Sequence, residues 1–299
     1  MYYKDTQSYK AFMKSPFRSI KHKTYFSVYD KLLEEYINKD ITFVEIGVLD
    51  GGSLFMWREF FGEKARIIGI EINESSKVWR EHGFEIFIGS QGDPSFWKNF
   101  YDEIGDVDIV LDDGGHTYQQ QIVTVESSLK HIRQGGKIIV EDTYTSYQKE
   151  YGYPSKYSFK NYASNLVDGI NLRTPVIGSE KKDNLISDVC FFESIVCIGI
   201  DKNIDISHGK GVANNGSLLE GKISESLRYA DKPALTKITV LITALKTLKD
   251  IPLLGGLLKT IGVSITDLIK TTNNKIDNYK LRKYLSLIHI SEPTRLLAI

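Results

Sequence analysis

The sequence predicts an α/β fold: a mostly parallel sheet with helices on both faces, a terminal antiparallel hairpin and a helical C-terminal appendage. Three observations predict it. Between residues 25 and 200, short apolar runs alternate with segments of helical periodicity, the pattern of a parallel sheet covered on both sides. Several of the apolar runs end in an acidic residue or a glycine-rich turn, as strand ends at a binding rim do. Two later runs, 187–192 and 194–200, are joined so tightly at Glu193-Ser194 that only an antiparallel pair can form.

The elements follow in order. Residues 25–37 carry Val28, Leu32, Leu33 and Tyr36 at helical spacing. Residues 42–46 form a first strand, followed by a glycine-rich turn and a helix over 53–61. Residues 66–72 form the second strand, 75–81 a short helix and 85–88 the third strand. Residues 93–101 are expected to be helical, because Pro94 directly follows Asp93, a capping type. The fourth strand is 107–112. Ile122, Val125, Leu129 and Ile132 set a helix over 117–132, which Gly135-Gly136 should stop before a fifth strand at 137–141. A polar, tyrosine-rich loop is expected at 144–160.

Composition excludes some functions. The 38 basic and 38 acidic side chains balance, so no global field would draw nucleic acid or an anionic membrane. The first residues lack the apolar core of a signal peptide, and no apolar run approaches the roughly 20 residues of a bilayer span. Cys190 and Cys197 fit neither a zinc site nor a disulfide framework. Both are expected to be buried thiols in a reducing cytoplasm. Tyrosines between Tyr144 and Tyr162 suit a carbohydrate face, although they suit ordinary interfaces as well.

Two rim segments carry the chemistry. The run Glu45-Ile46-Gly47-Val48-Leu49-Asp50-Gly51-Gly52-Ser53 leaves the first strand and enters a helix. Leu49 stands where a dinucleotide fingerprint needs its second glycine, and there is no Walker lysine, so a pyrophosphate cradle is disfavoured. Glu71 ends the second strand, where a carboxylate suits a ribose diol. Ser90, Gln91 and Asp93 follow the third strand and can meet an adenine edge, with Asp93 serving also or only as a helix cap. The second segment is Asp112-Asp113-Gly114-Gly115-His116, matched one strand later by Glu141-Asp142. Acidic tips with an imidazole on one rim can hold a hard cation and place a base beside it.

The first segment with Glu71 resembles the S-adenosylmethionine site of class I methyltransferases, whose Rossmann-like sheet also ends in an antiparallel hairpin. The motifs Asp-Asp-Gly-x-His and Gly-Gly-x-x-x-x-Glu-Asp, at 112–116 and 135–142, extend the likeness. Over residues 20–200 the chain resembles metal-dependent macrolide-sugar and rhamnosyl O-methyltransferases. This resemblance implies Mg2+ ligands at Asp113, Glu141 and Asp142, and a general base at His116. Glu45, Gly47, Gly51, Ser53, Glu71, Ser90, Gln91, Asp93 and Asp112 would serve the cofactor. It implies a sugar-bearing small-molecule or glycan acceptor. A cephalosporin-hydroxylase-like oxidative enzyme and a non-catalytic cofactor-binding subunit are the alternatives.

The expected organisation is an N-terminal segment at 1–24, the methyltransferase-type domain at 25–200 and a helical extension at 201–284. Leu235, Ile238, Leu241, Ile242, Leu245 and Leu248 lie at helical spacing in that extension. Residues 233–270 suit a homo-oligomer or peripheral membrane contact, and equally helices packing on the domain. Residues 285–299 include a run, 285–295, that resembles a translated sequencing adaptor, so they are expected to be an artefact and the native end is expected near Tyr284.

Overall fold

The computed structural model describes residues 2–170, 185–203, 214 and 216. The chain divides into two compact units, Met1–Gly211 and Val212–Ile299. The amphipathic segments expected between 233 and 270, most of the expected extension and the adaptor-like run lie outside the described residues.

The elements are α1 (Gln7–Lys14), α2 (Tyr25–Leu33), β1 (Thr42–Ile46), α3 (Gly52–Phe61), β2 (Arg66–Glu71), β3 (Glu85–Ile88), α4 (Pro94–Ile104), β4 (Val107–Asp112), α5 (Tyr118–Ser128), β5 (Ile132–Val140), α6 (Phe159–Ile170), β6 (Ile186–Phe191) and β7 (Val196–Ile200). The seven strands lie in the order β3-β2-β1-β4-β5-β7-β6. The first five are mutually parallel, and β7 runs antiparallel to both β5 and β6. The sheet is therefore the mixed one expected, with its hairpin at one edge. Strand order reverses between β1 and β4, the switch point above which open α/β sheets bind ligands.

Alternation of side chains along each strand divides the core. Phe43, Ile67, Ile109, Leu111, Ile139 and Cys197 point to one face, where Tyr29, Leu33, Leu54 and Trp57 of α2 and α3 pack. Val44, Ile68, Val110, Ile138 and Ile198 point to the other, with Trp97, Phe100, Val125 and Phe159 of α4, α5 and α6. Burial on both faces explains why these strands read as continuous apolar runs.

Three expectations need correction. The helix expected over 117–132 ends at Ser128, and Ile132 opens β5 opposite Val107. Sheet pairing outweighs helical periodicity there, because Val107 N donates to the His131 carbonyl at 2.9 Å and locks the strand start. The segment 144–160 is not a simple loop: 3-10 turns at Thr143–Tyr147 and Lys149–Tyr151 lead into α6, which begins at Phe159. Cys197 is buried as expected, but Cys190 is only half-buried, because it lies on the edge strand β6. Both thiols are free, and burial raises Cys197 to about 12.

The N-terminal segment is more structured than its sequence suggested. Thr6 caps α1 by accepting from Tyr9 N, and α1 packs against α3 and α2. Asp30 of α2 accepts from the N–H groups of Gln7 and Ser8 at 2.7 and 2.9 Å, tying the two helices together. Among the described residues, no helix is long and apolar enough to cross a membrane.

Candidate active site

The turn after β1 is built on Gly47. Its φ is +92°, and a Cβ there would lie 2.1 Å from the Asp113 carbonyl oxygen. Only glycine fits, so the turns after β1 and β4 approach closely. Gly51, with φ +74°, is the left-handed residue before α3 and abuts the Trp79 ring. Residues 15–20 cross the start of α3. Ser15 Oγ donates to the Gly52 carbonyl at 2.8 Å, and a Cβ on Gly52 would lie 2.4 Å from the Arg18 carbonyl oxygen. Between this strap and the turn lies a cleft of about 250 Å3, lined by Arg18, Ser19, Ile20, Gly47, Val48, Leu49, Asp50, Gly52, Ser53 and Asp113.

The cofactor candidates divide into those that line the cleft and those that shape it. Glu45 is fully buried beneath it and accepts from Ser53 Oγ at 2.7 Å and Trp57 Nε1 at 2.9 Å. Burial pushes its carboxyl up to about 7, against the pull of the Lys21 ammonium. Glu71 Oε2 accepts from Val48 N and Leu49 N, and Oε1 from Ile72 N and Asn73 N. Those four N–H groups use the acceptor positions of the carboxylate, so Glu71 holds the turn, and a ribose diol would have to share or displace them. Leu49 and Ile72, 80% and 71% exposed, flank it with apolar surface.

The turn after β3 braces the turn after β4. Buried Gln91 donates from Nε2 to both Asp112 oxygens, at 2.9 and 3.0 Å, and accepts from Gly115 N at 2.8 Å. Asp112 also accepts from Gly114 N. It is fully buried, and burial raises its carboxyl. Ser90 Oγ accepts from Gly92 N, and Asp93 caps α4 by accepting from Ser95 N at 2.8 Å. These side chains organise backbone; among them only the Gln91–Asp112 pair reaches the acidic rim.

Strands β4 and β5 pair in parallel with Asp112 opposite Val140, so the acidic tips are neighbours. One ligand-type atom each from Asp113, His116 and Asp142 lies within 4.8 Å of the others. His116 and Asp142 both adopt left-handed backbone conformations, with φ +58° and +53°. Such strain in non-glycine residues costs about 1–3 kcal/mol each and concentrates at functional sites. The box formed by Thr117 and Gln120 at the start of α5 fixes the residue after His116. His116 Nε2 stands 3.4 Å from Asp142 Oδ2. Its Nδ1 is buried and has no hydrogen-bond partner among the described residues.

Glu141 and Asp142 are sequence neighbours with different surroundings. Glu141 is fully buried: Tyr29 Oη donates to Oε1 at 2.5 Å and Lys21 Nζ to Oε2 at 3.0 Å. Burial pushes its carboxyl up, against the pull of Lys21. Asp142 lies at the rim, accepting from Tyr25 Oη at 2.5 Å, with His22 Nε2 3.9 Å away. The His22 ring sits between Tyr25 and Tyr144, at centroid distances of 5.1 and 5.9 Å. His131 stacks on Tyr101 with ring centroids 4.1 Å apart.

Sequence reasoning missed Tyr25, Tyr29 and Lys21. Lys21 Nζ donates to Asp113 Oδ2 at 2.7 Å as well as to Glu141, and its side chain is only 2% exposed. Burial opposes its charge, but Asp113, Glu141 and Glu45 outweigh burial and hold the ammonium well above its ordinary value. A lysine flanked by Ile20 and His22 in a segment without periodicity offered no signal of this role.

Comparison with known proteins agrees with this layout. Residues 44–143 match the family model described as a methyltransferase domain. That stretch runs from β1 through both acidic tips. Demethylmacrocin O-methyltransferase of Streptomyces fradiae is 32% identical over 131 residues, which cover 42% of this chain and 33% of that protein. The 8-demethyl-8-alpha-L-rhamnosyl tetracenomycin-C 2'-O-methyltransferase of Streptomyces olivaceus is 31% identical over 159 residues, covering 50% and 41%. The MycE methyltransferase of the mycinamycin biosynthetic pathway, solved with Mg, SAH and mycinamycin VI, shares the fold at a TM-score of 0.60 and 24% identity. That match covers 67% of this chain and 54% of the MycE chain. The chain thus spans less than half the length of these curated relatives.

Proposed function

We propose that the chain is an S-adenosylmethionine-dependent, Mg2+-assisted O-methyltransferase that methylates a sugar hydroxyl of a glycosylated small molecule or surface-glycan precursor. The observation that carries this reading is the convergence of Asp113, His116 and Asp142 at the rim beside the Gly47 cleft. The sugar-modifying relatives support the acceptor class. The free thiols Cys190 and Cys197 agree with a reducing compartment.

The donor set fits a hard divalent cation. Carboxylate oxygens are its preferred ligands. The unpartnered buried His116 Nδ1 marks a polar pocket whose hydrogen bonding is incomplete. Asp113 and Asp142 would hold the ion from the rim and Glu141 from beneath. When bound, it would supply Lewis acidity that favours ionisation of a sugar hydroxyl.

The chain's own residues do the rest. The turn from Gly47 to Ser53 and the strap from Arg18 to Ile20 hold the cofactor, with Leu49 and Ile72 giving apolar cover. His116 accepts the hydroxyl proton as the sugar oxygen bonds to the methyl carbon and the carbon–sulfur bond breaks, its electron pair staying on the departing thioether sulfur. Asp142, 3.4 Å from Nε2, stabilises the imidazolium so formed. Tyr25 holds the Asp142 carboxylate in place.

Methyl transfer from labelled cofactor to a panel of glycosylated acceptors tests the reading. Activity should fall at least tenfold with chelator and return with Mg2+, and full activity in chelator would remove the metal from the mechanism. His116→Ala should lower turnover by about 10²–10⁴-fold, with cofactor affinity within a factor of three; unchanged turnover would remove His116 as base.

A further inference from the structure

We propose that Lys21 is a built-in counter-cation that competes with the divalent metal for Asp113 and Glu141, so that metal entry requires its ammonium to withdraw. The inference rests on the metal reading above and adds to it a residue from the N-terminal strap.

The geometry points to competition. Nζ lies 2.7 Å from Asp113 Oδ2 and 3.0 Å from Glu141 Oε2, bridging the tips of β4 and β5. An ammonium donates in several directions and a metal ion accepts lone pairs from several, so both select the same point between carboxylates. One oxygen cannot serve both at bonding distance without bringing two cations together. Glu45 lies beneath the site as a third carboxylate, and the Tyr29 ring faces Nζ with its centroid at 5.8 Å. These acids need positive charge if they are to remain ionised in a buried place. Lys21 supplies it without metal, and a divalent ion would supply more.

The Lys21 side chain can withdraw without unravelling an element. Residues 15–24 form neither helix nor strand, so withdrawal breaks no regular backbone ladder. Arg18, Ser19 and Ile20 of the same segment line the cleft. Asp142, held by Tyr25, stands at the rim with Asp113 and His116 and offers an entry point for the ion.

The test titrates Mn2+, a paramagnetic stand-in for Mg2+, into the full chain and into Lys21→Met, reading free ion by electron paramagnetic resonance. The variant should bind at least tenfold more tightly, and saturating Mn2+ should raise its melting temperature more than the parent's. Binding by the variant alone would also support competition. Equal or weaker binding by the variant, with the parent binding, would overturn the role of Lys21 and leave the metal reading standing. No binding by either would overturn both. A measurement on the parent does not depend on the variant folding. Lysine acetylation followed by mass spectrometry should find Lys21 protected without metal and at least fivefold more reactive with it, with Lys98, 75% exposed, as reference. Reactivity unchanged by bound metal would overturn the proposal.

Discussion

Replacing Gly47 with alanine should separate two costs that the structure places on one position. The first is backbone strain. At φ +92° an L-residue costs about 1–3 kcal/mol. The second is contact with the Asp113 backbone, because a Cβ would sit 2.1 Å from its carbonyl oxygen. Relief requires the turn after β4 to retreat by about 1 Å, and such overpacking typically costs a further ~1–3 kcal/mol. Gly83 provides the control: its φ is +82°, but nothing lies within 4 Å of an added Cβ. Gly83→Ala should therefore show the strain alone. Urea denaturation followed by tryptophan fluorescence reports both variants through the buried Trp57 and Trp97. Gly47→Ala should lose about 2–6 kcal/mol and exceed Gly83→Ala by at least 1 kcal/mol. On the proposed function it should also lower methyl transfer by up to about 10²-fold, because the proposed metal ligand Asp113 would be displaced. If Gly47→Ala is no more destabilising than Gly83→Ala, the close approach of the two turns is refuted.

Other expectations follow from the buried acids and the helix cap. Glu45, raised to about 7 by burial, keeps its proton in the folded chain where the unfolded chain has released it. The resulting stability is full below about pH 4.5 and is lost as pH rises through about 7, amounting to about 3 kcal/mol. Glu45→Gln should flatten that fall in urea titrations between pH 5 and 8, and an identical pH slope in both proteins would contradict the assignment. Tyr29→Phe leaves a buried Glu141 oxygen without its donor and should cost about 1–3 kcal/mol by denaturant melting. Thr117→Ala removes the box at the start of α5 and should cost about 1 kcal/mol, measured the same way. A loss below 0.3 kcal/mol would show that the tertiary contacts of α5 hold its first turn without the cap.

Local chemistry in the sequence determined much of this protein. Apolar runs that alternate faces gave the strands, and the tight Glu193-Ser194 link gave the hairpin, because these signals act over a few residues. The glycine turn after β1 and the acidic ends of β4 and β5 were legible for the same reason: strand ends in one parallel sheet share a rim. Periodicity failed at Ile132, where pairing with Val107 decided between helix and strand. It also gave no sign of α6. Only the tertiary structure decided that Glu141 turns inward to Tyr29 while Asp142 stays at the rim, since a hydroxyl donor to each comes from α2. It alone brought Lys21 to acids 92 and 120 residues away. A charge finds its partner through space, and chain distance carries no record of that encounter until the sheet has brought the tips together.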